Sequence, residues 1–391
     1  MKTIFGNHDQ KTLDQFDFVM KSAEHGALCA DGHLGYVMPI GGVAAYKNKI
    51  SPVGVGFDIG CGNCAIQLDT ESKPVLDHLS EILDTIQSEI SFGVGRKNKT
   101  PVDHDLFNDE AWNVPEIYKL KDMAWEQLGT VGSGNHYVDI FKDENDFIWI
   151  GVHFGSRGLG HKICTGFLNL SINGNWDERA KEQECLLDLT ESLGQEYFAA
   201  MQLAGKYAYA GREWVCNKVN SILGNYEVLQ TVHNNHNFAW TETHFDNNYV
   251  VIRKGATPAF PGQKGFIGGS MGDNAVIVEG LDSDKSKAAM YSTVHGAGRI
   301  MSRTKAAGKY KGWGRKRHQV SRGEISHDML NKWLSEKNVV LKGGGLDEAP
   351  QAYRRLPEVL KYHEGTIKIL HALTPLGVVM AGENEFDPYK D

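Results

Sequence analysis

Gly54–Cys64, GVGFDIGCGNC, restricts this chain more than any other stretch: an apolar run breaks there into glycines and presents Asp58 and Cys61 three residues apart. Gly54, Gly56, Gly60 and Gly62 strip side chains from around one carboxylate and two thiols and free the backbone for tight turns. Such a loop can coordinate a metal, provided that the remaining ligands arrive from far along the chain. Two other readings stand beside that one. Cys61 and Cys64 form a CxxC that suits a redox pair or half of a structural zinc knuckle, and Asp58 suits the cap of a turn.

The rest of the chain has the means to complete a site. With 391 residues and 41% hydrophobic content it can bury a large core, as one big domain or as two to three smaller ones. A net charge of -8 and an isoelectric point near 6.1 do not advertise a polyanion partner, which would have to be held by a local basic patch or by bound cations. Six cysteines in a chain of this size, with no signal-peptide pattern at MKTIFGNHDQ, argue against a secreted disulfide scaffold. No apolar run is long enough to span a bilayer, so a cytoplasmic protein with no membrane partner is expected. Glycine is in excess, 44 residues, and clusters in loops beside 16 histidines, the composition of an enzyme whose loops carry the site.

Read in order, Asp31–Ala44 (DGHLGYVMPIGGVA) alternates glycine turns with short apolar pieces. Lys73–Ile90 sets Val75, Leu79, Ile82, Ile86 and Ile90 at helical spacing, with Pro74 in the first turn, and predicts an amphipathic helix. Leu128–Ile140 presents Asn135 and His136 after a glycine turn, and Phe147–Val152 (FIWIGV) predicts a buried strand with His153 at its end. Cys185–Val219 predicts one or two helices. Leu229–Ala239 offers His233 and His236, Tyr249–Ile252 and Ala275–Glu279 read as strands, and Pro261–Gly272 is a loop dense in N–H groups. Ser292–Lys305 sets His295 before two glycines and Arg299, and Lys309–His318 extends the positive charge as a functional patch or as a solvated surface segment. Leu356–His371 reads as helical and Leu376–Met380 as a final apolar strand. No linker or repeat divides residues 1–391, which predicts one α+β domain of mixed sheets with a largely helical insertion over about 176–222.

Asp58, Cys61, Asn135, His136, His153, Arg157, His233, His236, Asn237, His295 and Arg299 are the polar residues that these loops present. One carboxylate, one thiolate and several imidazoles suit Zn²⁺, Mn²⁺ or Fe²⁺ better than Mg²⁺ or Ca²⁺, and the arginines and loop amides suit phosphate oxygens. The ordered motifs GVGFDIGCG, LGTVGSGNHYVDI, HFGSRGLGH, HNF, RKGA, GGSMG, HGAGRIMSRTKA and DEAPQAYR closely resemble the RtcB-type RNA ligase family, from about Gly32 to about Gly377.

That resemblance implies a fold built around a central metal and nucleotide cleft. It also implies the joining of RNA 3′-phosphate or 2′,3′-cyclic phosphate ends to 5′-hydroxyl ends with GTP and Mn²⁺, in tRNA splicing or RNA repair. Carried over residue by residue, Asp58, Cys61, His136, His153 and His236 would bind two manganese ions, with the Cys61 thiolate between them. His295 would become attached to GMP. Asn135, Asp139, His236, Asn237, Gly269, Ser270, Met271 and Gly296-Ala297-Gly298 would hold the guanylate, while Arg157 and Arg299 would hold RNA-end phosphates. In TVHNNHNF the His-Asn-aromatic step selects His236 over His233, and Cys64 is left to packing.

The chain departs from the family pattern at Gly60, Asp139 and Met380. Met380 lies where a lysine usually reaches the base, and Lys390 in the tail is a distant substitute. The alternatives are a metal-dependent RNA-end phosphoesterase or cyclic phosphodiesterase that has lost nucleotidyl transfer, and an RNA-end binding protein. The resemblance also admits an archease-type activator as a partner. Attack by His295 needs a free lone pair, so labelling of the protein by GTP should fall at acid pH, and an undiminished yield well below about pH 6 would contradict the assignment.

Overall fold

The computed structural model describes residues 1–180, 183–311, 318–383 and 385. Alternation along FIWIGV explains its continuous apolarity. In the Phe147–Phe154 strand, Trp149 points into one cluster with Ala65, Phe141, Val232, Phe266 and Leu373. Ile148, Ile150 and Val152 point into another, which includes Leu83 and Ile86 of the Leu79–Glu89 helix and Val215 and Val219 of the Ser192–Leu223 helix. Successive side chains of a strand face opposite sides, so a strand with both faces covered reads as an unbroken apolar run.

Phe147–Phe154 lies in a sheet whose neighbours run in the order Lys264–Ile267, Ala275–Gly280, Ile367–Gly382, Tyr137–Lys142, Phe147–Phe154, Gly62–Glu71, Val228–Asn235. Every pairing along this path is antiparallel, and Val340–Gly344 adds a parallel neighbour to Ile367–Gly382. Two asparagine side chains draw the ends of the path together. Asn63 Nδ2 donates to the Phe266 carbonyl (2.8 Å), and the Phe266 amide donates to Asn234 Oδ1 (2.8 Å). A second sheet has the order Lys2–Ile4, His25–His33, Ile40–Tyr46, Asn247–Lys254, Asn237–His244. Together the elements make one mixed α/β domain. No helix among the described residues is long and apolar enough to cross a membrane.

Three sequence expectations change. The Leu356–His371 segment is helical only over Leu356–Lys361, and from Ile367 it joins a 16-residue strand. Gly365, at φ +85°, turns the chain, and pairing with Ala275–Gly280 then outweighs helical spacing. The long helix starts at Ser192, not at Cys185, because Leu187–Asp188 pairs with Lys49–Ile50. The Lys73–Ile90 helix is broken at His78, between a first piece tied by Ser72 to Asp146 and a second piece lying on the sheet. The centre of the basic run, 312–317, lies outside the described residues, as does Lys390.

Gly151 is the inward position beside Trp149, and a Cβ there would stand 2.7 Å from Phe141 and 3.0 Å from Phe266. Gly151→Ala should therefore destabilise by about 1–3 kcal/mol through overpacking, and Phe141→Ala by about 3–5 kcal/mol through a cavity. Urea unfolding of the double variant should give a loss smaller than the sum, since truncating Phe141 opens the space the new methyl needs. Strict additivity would show that the ring is not the obstacle.

Candidate metal and nucleotide site

Four neighbouring strands of the larger sheet bring their site residues to one level. Tyr137 and Asn63 flank His153 in register, and Gly62 pairs with both Phe154 and Asn235. His136 therefore enters just before the Tyr137–Lys142 strand, His153 leaves at the end of its own strand, and Asp58–Cys61 forms the loop entering Gly62–Glu71. His236 is the single residue between Val228–Asn235 of one sheet and Asn237–His244 of the other. Its amide and that of Asn237 both donate to the Cys61 carbonyl, at 2.8 and 3.2 Å.

The side chains converge accordingly. Cys61 Sγ lies 3.8 Å from His136 Nε2 and 3.6 Å from His153 Nε2, and His136 Nε2 lies 3.0 Å from Asp58 Oδ2. Two potential ligand groups result, Asp58-Cys61-His136 and Cys61-His153-His236, each with its donor atoms within 4.8 Å of one another. They share Cys61. Asn63 Oδ1, 2.6 Å from His153 Nδ1, turns the opposite ring nitrogen toward the thiol. His233, by contrast, accepts from Arg212 Nε and packs on Tyr209, and Cys64 is buried in the helix-covered cluster.

Electrostatics fit a cation. Burial pushes His153 and His236 well below the usual imidazole range, and the neighbouring imidazoles add to this, so both keep a free lone pair at neutral pH. His236 Nδ1 is buried without a partner. Burial would raise the Asp58 carboxyl, but its hydrogen bond to His136 and the nearby charges of His136 and Arg157 hold it at about 2. The Cys61 thiol is pushed well up by burial and by Asp58, and a cation is what would displace its proton. The glycines leave room for these groups: a Cβ at Gly155 would fall 2.2 Å from Asp58 Oδ1, and one at Gly132 2.3 Å from His136 Nδ1.

His295 adjoins this cluster, its ring centroid 4.9 Å from that of His236. Its Nδ1 lies 2.6 Å from Asp31 Oδ2, and the backbone amides of His295 and Gly296 also donate to that oxygen. Burial raises the Asp31 carboxyl, yet the charge and hydrogen bonds of His295 prevail and keep it below its ordinary value. Gly296 abuts Gly268, and Gly268 abuts the hydroxyl of Tyr137, so the Gly268–Gly272 loop, the His295 loop and the Asn135–Asp139 segment are contiguous. Within that region Asn135 is exposed, Ser270 donates to Asp273, and Asn237 accepts from the Gly255 amide (2.7 Å). Asp139 is buried with Oδ1 unpartnered, its pKa raised by burial, and Ala297, Met271 and Met380 are buried.

The two arginines differ. Arg157 has a left-handed backbone (φ +57°), lies 3.2 Å by Nη1 from His136 Nδ1, and has an unpartnered Nε. Arg299 is engaged by Glu348, by the carbonyls of Met301 and Asp347 and by Tyr353.

Residues 15–381 match the family model described as tRNA-splicing ligase RtcB. The chain belongs to the RtcB family. Among its relatives, the RNA-splicing ligase RtcB homolog 2 of Entamoeba dispar is 31% identical, over 89% of this chain and 79% of that protein. The RNA-splicing ligase RtcB of Escherichia coli is 30% identical over 90% and 88%, and the tRNA-splicing ligase RtcB of Thermococcus kodakarensis 29% over 89% and 86%.

Two residues not singled out in the sequence, Asp31 and Arg212, belong to this candidate site of the RtcB-family chain. Asp31 opened a stretch read only as turns and short strands. Arg212, fully buried, donates Nη1 to the carbonyls of Gly60 (2.7 Å) and Phe154 (2.6 Å) and Nη2 to Asn235 Oδ1 (2.6 Å). One guanidinium thus ties together the loop of Cys61, the strand end of His153 and the residue before His236. A signal existed: Arg212 falls four residues past Ala208 on the helix's apolar face, where a charge needs partners. Arg212→Met should cost on the order of 3 kcal/mol or more, because it strands buried acceptors, and Arg212→Lys should retain only part of the fork. Chemical denaturation and Mn²⁺ titration followed by electron paramagnetic resonance check both. Wild-type stability and metal affinity in Arg212→Met would contradict the assignment.

Proposed function

We propose that this RtcB-family protein is an RNA ligase that joins a 3′-phosphate or 2′,3′-cyclic phosphate end to a 5′-hydroxyl end through a GMP attached to His295, using GTP and two manganese ions, in tRNA splicing or RNA repair. The observation that carries this reading is Cys61 shared between two donor groups directly beside His295. The names of the relatives support RNA as substrate.

Asp58, Cys61 and His136 would hold one ion, and Cys61, His153 and His236 the other. Bound there, such ions offset the negative charge of phosphate oxygens. The protein's own part begins at Asp31. A carboxylate only accepts hydrogen bonds, so the His295 proton lies on Nδ1 and the lone pair on Nε2. Nε2 attacks the α-phosphorus of GTP, a bond from nitrogen to phosphorus forms, and the bond to pyrophosphate breaks. Asp31 meanwhile offsets the positive charge that the ring acquires.

Arg157, with an unpartnered Nε beside His136, would be available to an RNA-end phosphate, whereas most donors of Arg299 are already engaged. For the base, Asp139 offers a buried, unpartnered oxygen suited to the N–H groups of guanine, and Met380 offers a thioether where an ammonium would give further selectivity.

Incubation with labelled GTP and Mn²⁺ tests the reading. Covalent label should appear in the wild type, vanish in His295→Ala, and form at a rate lower by on the order of 10²-fold or more in Asp31→Asn. An unlabelled wild type that still hydrolyses RNA ends would be a phosphoesterase instead. Across GTP, ATP and dGTP, GTP should label at the lowest concentration, and Asp139→Ala should narrow its advantage over ATP. Equal labelling by ATP in the wild type would remove Asp139 from base recognition.

A further inference from the structure

The basic run beyond the His295 loop has no part in the chemistry above. Residues 285–323, which contain His295, hold 11 lysines and arginines and no acid, in a chain with 49 acids against 41 bases. Cations are therefore segregated onto the segment that carries the proposed nucleophile.

The fold gives this segment a distinct shape. After the short Arg303–Ala307 helix, Gly308–Lys311 and His318–Arg322 pair as an antiparallel ribbon, with Gly308 opposite Arg322 and Lys311 opposite His318. Every residue of His318–Arg322 is exposed, as are Lys309 and Lys311. Among the described residues no carboxylate pairs with Lys309, Lys311 or Arg322, in contrast to Arg299 and Arg303, which pair with Glu348 and Asp347. The ribbon's root adjoins the site. The Arg303 guanidinium lies 3.1 Å from where a Cβ of Gly134 would be, beside Asn135 and His136.

Lysines on an exposed strand can serve only to block edge-to-edge pairing. That role does not by itself account for the absence of acids from this segment. Like charges gathered on paired strands repel, and a two-stranded ribbon is marginally stable by itself. Lys309, Lys311 and Arg322 thus share one short ribbon that has no acid in its strands, a placement whose mutual repulsion a polyanion would offset.

We propose that Lys309, Lys311 and Arg322 form an RNA-binding arm that takes backbone phosphates of the strand whose end lies in the site. This rests on the reading of the substrate as RNA. The contacts would be phosphate contacts, adding affinity and orientation with little sequence preference.

The test compares full-length wild type with Lys309→Gln/Lys311→Gln/Arg322→Gln. Binding of a fluorescent single-stranded RNA bearing a 3′-phosphate is followed by anisotropy across salt concentrations, beside His295 labelling by GTP without RNA. For the triple variant, Kd at about 0.1 M salt should rise about tenfold or more, and the slope of log K against log salt should fall by about 2. GTP labelling should be unchanged, which also reports an intact fold. Lys309→Arg/Lys311→Arg should bind as the wild type does, and neutralising Lys11, Lys21 and Lys361, exposed elsewhere on the chain, should have little effect. Unchanged Kd and slope in the triple variant, or an equal loss in the control trio, overturns the arm. Arm-dependent RNA binding by a wild type that GTP does not label would sink the ligase reading and leave the arm standing.

Discussion

One carbonyl oxygen holds the two sheets and the site together. Cys61 accepts from the amides of both His236 and Asn237 at the point where the chain leaves one sheet and enters the other. A carbonyl has two lone pairs, so both bonds can form without leaving a buried donor unpaired. Cys61 thus contributes its backbone to the seam and its sulfur to the donor cluster. His236 cannot shift along the strand without breaking the junction between sheets, so the spacing of Cys61 and His236 is a property of the fold and not of a flexible loop. Arg212 extends the same logic from behind, binding the carbonyls of Gly60 and Phe154 on the larger sheet's side of the seam.

Charge inside the site is arranged so that a cation would meet one ionised carboxylate and two neutral imidazoles. Burying ionised groups is expensive unless they are paired, and here Asp58 is held ionised by His136 with Arg157 nearby, while the Cys61 thiol keeps its proton and His153 and His236 stay neutral. Asp31 and His295 form a second pair, so that the ring proposed as nucleophile is fixed through the nitrogen that does not react. Glycine makes this density possible. Side chains at Gly132 and Gly155 would occupy the volume of His136 Nδ1 and Asp58 Oδ1.

What could be read in the sequence follows the range of the signal. Phe147–Phe154 declared itself a doubly buried strand through composition, and the donors declared themselves through glycine-flanked motifs, because both signals are local. Residues 367–371, the start of the Ile367–Gly382 strand, did not: pairing with Ala275–Gly280, remote in sequence, decided their conformation against an apolar spacing that also fits a helix. Leu187–Asp188 left the helix for the same reason. Asp31 and Arg212 were missed because their meaning lies in partners far along the chain: His295, 264 residues away, and the carbonyl of Gly60, 152 residues away. His233 and His236, three residues apart, separate in space because a strand sends alternate side chains to opposite faces while the chain switches sheets at His236.

The acidic net charge of this RtcB-family chain and its proposed polyanionic partner are compatible because screening makes electrostatics local. At physiological ionic strength the Debye length is about 8 Å, so exposed carboxylates farther than this from the site contribute little to the potential there. What counts is the charge that lies close by. The stretch without acids, 285–323, includes His295 and continues into the exposed ribbon, while Glu348 and Asp347 sit within reach of Arg299 and Arg303 and cancel those two cations at its root. An anion approaching the site along the ribbon would meet uncompensated lysines first and an arginine with an unpartnered donor, Arg157, beside the proposed metal ligands. The same carboxylates that hold the root together would discourage it from settling there instead.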